Sequence, residues 1–129
     1  MFASTIKKVS QLGLAIVAIS ATPALAAPMS PQEILALFSD SSSLTGDTHL
    51  EYFAPDGSYK VTNIKTGKGS PGKWYVTNTS KICIVTTNKR CWKTTQAKTE
   101  VCFSAKGQRV CRAKNKYMRG DQTSAYVKK

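Results

Sequence analysis

Apolar and polar positions alternate with three different rhythms along this chain. Residues 12–19 form one unbroken run, Leu-Gly-Leu-Ala-Ile-Val-Ala-Ile. Ile34, Leu35, Leu37 and Phe38 then recur at helical spacing, giving about two turns an apolar face. Ser30 is placed to cap that helix, Pro31 fits its first position, and Glu33 completes a capping box. The polar stretch "SDSSSLTGD" is expected to end it in a loop.

From Thr48 onward threonine, valine, tyrosine and lysine dominate, and a turn signal arrives every eight to twelve residues. This pattern predicts antiparallel strands over 48–54, 58–64, 72–78, 81–86, 89–96, 99–105 and 108–114. The fold class that follows is mainly β. It is a small antiparallel meander, barrel-like or strongly bent, with a short N-terminal helix. Trp74, Trp92, Ile82, Ile84, Tyr52 and Phe53 are the expected large core groups, with Leu35 and Phe38 closing one end. The polar tail over 120–129 is expected to be loose, or to add a last strand at Tyr126 and Val127.

The first apolar run reads differently. Lys7 and Lys8 precede it and the small-residue site Ala24-Leu25-Ala26 follows, the three parts of a secretory signal peptide. The run is far shorter than the ~20 residues that span a bilayer. Cleavage after Ala26 would leave a single disulfide-stapled domain, residues 27–129, in the periplasm or outside the cell.

Export bears on the four cysteines, because an even number in a small exported chain points to disulfides. If Lys106-Gly107 is a two-residue turn, Cys102 falls opposite Cys111. A three-residue loop at Thr86-Thr87-Asn88 likewise sets Cys83 opposite Cys91. The two crossed connectivities stay open on the count alone. Their spacing lacks the close pairs of structural zinc sites, so no metal or other cofactor is expected.

The segments "EILALFSDSSSLTG", "LEYFAPDGSYK", "GKWYV" and "ICIVTTNKRCW" resemble the successive blocks of a family of small exported bacterial proteins classified as a domain of unknown function. The resemblance covers Glu33 to Trp92 and implies a short helix, a tyrosine-led Asp-Gly turn, a G-x-W strand and a two-cysteine hairpin. It carries over no activity and no catalytic residue. The second cysteine pair and the abundance of lysine depart from the family's pattern.

Charge separates sharply along the sequence. Without Lys7 and Lys8 the chain holds 17 basic against seven acidic side chains, a net +10, and every one of those bases lies at or beyond Lys60. Lys89, Arg90, Lys93, Lys106, Arg109, Arg112, Lys114, Lys116 and Arg119 fall in or beside the cysteine hairpins and form a candidate anion-binding set. The simplest account is a solvated face that keeps the sheet soluble. The sharper one is a non-catalytic exported protein that engages anionic envelope polymers, lipid head groups or nucleic acid. A protein-binding module, an inhibitor or assembly factor meeting an acidic protein, is the alternative. A third reading is a small hydrolase of phosphodiesters or glycans, since His49 and Glu51 share one face of a predicted strand. No second catalytic motif accompanies them, so no catalytic residue is assigned.

Overall fold

The computed structural model describes residues 26–127. The expected leader therefore lies outside the described residues, apart from Ala26. Strand β1 (Ala27–Pro28) leads into helix α1 (Pro31–Phe38). The capping box is formed as its residues dictate: the Ser30 amide donates to Glu33 Oε1 at 3.0 Å, and the Glu33 amide to Ser30 Oγ at 3.1 Å. Ile34 and Phe38, four residues apart, face the core. Leu35 does not; it is 43% exposed, because one helical step turns it out of that stripe. The expectation that Leu35 closes the core is thus corrected.

Eight further strands build a meander: β2 (Ser41–Thr45), β3 (His49–Phe53), β4 (Ser58–Asn63), β5 (Gly69–Val76), β6 (Lys81–Val85), β7 (Lys89–Gln96), β8 (Glu100–Ala105) and β9 (Gln108–Ala113). A short β10 (Met118–Arg119) pairs with β2, so the order is β10-β2-β3-β4-β5-β6-β7-β8-β9, with β1 beside β7. All pairings are antiparallel and the sheet curls into a half-barrel. No helix among the described residues is long and apolar enough to cross a membrane.

Strand β2 is a correction to the loop expected over those residues. Ser41, Ser42 and Ser43 are at most 1% exposed, although their sequence carries no apolar alternation. The strand is set by pairing with β3, where Ser41 meets Phe53 and Ser43 meets Glu51. Two hydroxyls find buried partners, Ser41 Oγ donating to the Phe38 carbonyl and Ser42 Oγ to that of Gly120, each at 2.6 Å.

Helix α1 plugs one end of the half-barrel. Phe38 meets Phe53 edge-on at 5.2 Å, and Phe53 in turn meets Trp74 at 5.4 Å. The Trp74 indole donates to the Ala54 carbonyl at 2.8 Å. Trp74, Ile82, Phe53 and Phe38 are buried as expected, whereas Trp92 and Ile84 are half-buried and Tyr52 sits on the opposite face. Met29, Leu50, Tyr59 and Val101, with Cys83 and Cys102, complete the buried hydrophobic set.

The hairpin register matches the cysteine count. Cys83 stands opposite Cys91 and Cys102 opposite Cys111, and both pairs are disulfide-bonded. That leaves no thiolate for a metal. Lys106 and Gly107 both have positive φ, 49° and 79°, the conformation a two-residue hairpin turn with right-handed strand twist requires.

The C-terminal segment makes defined contacts as far as residue 127. The Gly120 amide donates to the Asp40 carbonyl at 2.7 Å, and helix α2 (Thr123–Tyr126) forms where a last strand was expected at Tyr126. It packs against β3, and Lys60 bridges to Asp121 at 2.9 Å.

Candidate functional site

Cross-strand partners in an antiparallel sheet share a face, and successive residues alternate. The register therefore sorts the basic hairpin residues. Ile84 stands opposite Arg90 and Val101 opposite Arg112, with their side chains inside the half-barrel. Val85 opposite Lys89, Lys81 opposite Lys93, and Ser104 opposite Arg109 project outside, on the face that bears both disulfides. The pleat divides the linear patch into an outer and an inner group.

The outer face holds Lys73, Lys81, Lys89, Lys93 and Arg109, all exposed, with Lys106 at the adjoining turn. Lys81 and Lys93 are directly cross-strand neighbours, an arrangement that like charges disfavour. The one ion pair among the described residues is Lys60–Asp121, so none of these cations has a carboxylate within bridging distance. Lys89 Nζ lies 5.7 Å from the centre of the Tyr75 ring, which is 39% exposed. Arg109 rests against the disulfide, its Nη2 3.4 Å from Cys102 Sγ.

Arg90 and Arg112 line the interior, and three further members of the candidate set lie off both hairpin faces. Arg119 donates to the Ser39 and Ala36 carbonyls at 2.9 Å, satisfying the end of α1. Lys114 donates to Gln96 Oε1 at 2.8 Å, and Lys116 is exposed in the 3₁₀ turn that follows β9. Lys73, Lys81 and Tyr75 were not in the candidate set. Strand alternation counted outward from Cys83 was the signal that places them.

The inner face was not anticipated. Beyond the plug formed by α1, the half-barrel encloses a cavity of about 850 Å³. Phe53, Val61, Ile84, Trp92 and Phe103 contribute apolar walls, while Glu51, Arg90 and Arg112 bring charge. Glu51 Oε1 accepts from Thr45 Oγ1 at 2.9 Å, and His49 Nδ1 lies 2.8 Å from Thr48 Oγ1. His49 and Glu51 thus share a face and line the cavity, each held by a threonine. Burial pushes the Tyr117 hydroxyl up to about 12, with the Arg112 charge opposing, and drives Tyr59 up further. A second cavity of about 390 Å³ shares Arg90, Trp92, Phe103 and Val110 with the first.

No curated protein and no solved structure matches this chain. A family model does, over residues 6–122, and the chain belongs to the family described as a protein of unknown function, DUF995.

Proposed function

We propose that this is a non-catalytic exported protein whose outer hairpin face binds an anionic polymer of the cell envelope. The observation that carries the reading is the directly opposed Lys81–Lys93 pair, set among Lys73, Lys89 and Arg109 with no carboxylate in bridging range. A repulsion built into a rigid, doubly stapled sheet is relieved when an anion lies across it. Tyr75 adds a flat apolar surface beside the charges, suited to a sugar or base plane. Two disulfides support an oxidising compartment as the site of action.

Binding to heparin and to single-stranded DNA, measured against salt, tests the proposal. Log affinity should fall linearly with log salt as counterions are released. Replacing Lys81, Lys89, Lys93 and Arg109 by Gln should flatten that slope. The same number of replacements at Lys65, Lys68, Lys98 and Lys116 should leave most of it. Equal losses from both sets would reduce the effect to diffuse attraction. A saturable complex with an acidic protein that survives salt would move the function to protein binding. Turnover abolished by His49→Ala or Glu51→Gln would overturn the non-catalytic reading.

A further inference from the structure

We propose that the concave face is a separate binding site, for a single-chain amphiphile with one negative charge on its head. The volume of about 850 Å³ lies in the range of small-molecule pockets, roughly 300–1,000 Å³. Helix α1 leaves part of the inner wall uncovered, since Val61, Ile84, Trp92 and Phe103 are only partly buried where they line the cavity. Val110, which lines both cavities, is left 56% exposed. An alkyl chain laid along this wall removes it from water.

The charges choose the head group. Arg90 and Arg112 line the cavity with a single carboxylate, Glu51, which leaves an excess of one positive charge. Neither arginine is in an ion pair, since Lys60–Asp121 is the one bridge among the described residues. Arg112 donates to the Ser43 and Thr45 hydroxyls through long contacts of 3.4 and 3.5 Å and lies beside the Tyr117 hydroxyl, so no carboxylate takes up its five donors. Arg90 lies over the Trp92 ring at 5.9 Å, its guanidinium supported from below. A monoanionic head neutralises the excess and takes up those donors. The smaller cavity continues past Arg90, Trp92 and Phe103, giving the chain a path along β7 to β9.

The test titrates the oxidised protein with saturated fatty carboxylates of increasing chain length, below their micelle concentrations, following tryptophan fluorescence from Trp92. Affinity should rise roughly fourfold per methylene until the cavity is filled. An alcohol of equal length should bind about tenfold or more weakly, and an alkyltrimethylammonium more weakly still. Arg90→Gln with Arg112→Gln should erase the preference for carboxylate over alcohol. Val110→Glu, at an exposed position and with its fold checked by circular dichroism, should weaken the carboxylate selectively. An outer-face variant lacking Lys73, Lys81, Lys93 and Arg109, none of which lines either cavity, should bind it normally, which separates this site from the polymer site. Equal affinity for carboxylate, alcohol and ammonium would overturn the proposal. So would a folded protein that binds none of the carboxylates, or loss of binding in the outer-face variant alone.

Discussion

The two tryptophans were equivalent in the sequence and are not equivalent in the fold, which makes their parallel replacement a sharp test of the packing. Trp74 is 4% exposed, packs edge-on against Phe53 and donates to the Ala54 carbonyl at 2.8 Å. That carbonyl also accepts from the Gly57 amide at 3.1 Å, so it keeps one partner when the indole is removed. Trp74→Phe therefore loses one hydrogen bond, about 1 kcal/mol. The void left by the smaller ring adds about 1–2 kcal/mol. At roughly 4–8 °C per kcal/mol for a domain of this size, Tm should fall by about 10–20 °C. Trp92 is only half-buried, with one side against the cavity, so Trp92→Phe should cost within about 1 kcal/mol. Thermal and urea unfolding followed by circular dichroism, with unchanged m-values, measures both. A Trp74→Phe cost below about 0.5 kcal/mol, or a Trp92→Phe cost equal to it, would refute this division of the core.

Two further outcomes are expected. Gly72→Ala should destabilise by about 1–3 kcal/mol, because its new Cβ would sit 2.5 Å from the Val85 carbonyl oxygen, a backbone atom that cannot swing away; a urea midpoint equal to the native protein's would show that β5 and β6 are less closely apposed. At alkaline pH, Tyr117 is raised by burial, and Tyr52 chiefly by its hydrogen bond to Asp40, from 10.0 to about 12 in both cases. The folded state therefore holds protons that the unfolded state releases, so stability is full below pH 10 and falls as pH rises towards 12. Unfolding and tyrosinate absorbance should rise together in that window, and a stability flat across it would count against the buried Tyr117 hydroxyl and the Tyr52–Asp40 hydrogen bond.

The short-range chemistry was legible in the sequence. A capping box is satisfied within four residues, and a hairpin's register follows from its turn, so α1 and both cysteine pairs could be read by counting. Strand alternation likewise announced the meander from β3 to β9. Strand β2 was hidden because buried serines carry no apolar rhythm; their partners, the Phe38 and Gly120 carbonyls, come from other parts of the fold. The C-terminal segment was hidden in the same way, since Asp40 and Lys60, which hold it, are far away in sequence. The candidate site shows the division most plainly. The sequence alone determined that the hairpins would be basic, stapled and alternating. Only the curl of the sheet decided that Lys89 would face outward and the adjacent Arg90 inward, over a hollow whose walls come from β3 to β9. Charge and local pairing are properties of neighbouring residues, whereas a cavity is the space left when distant strands close around too few side chains to fill it.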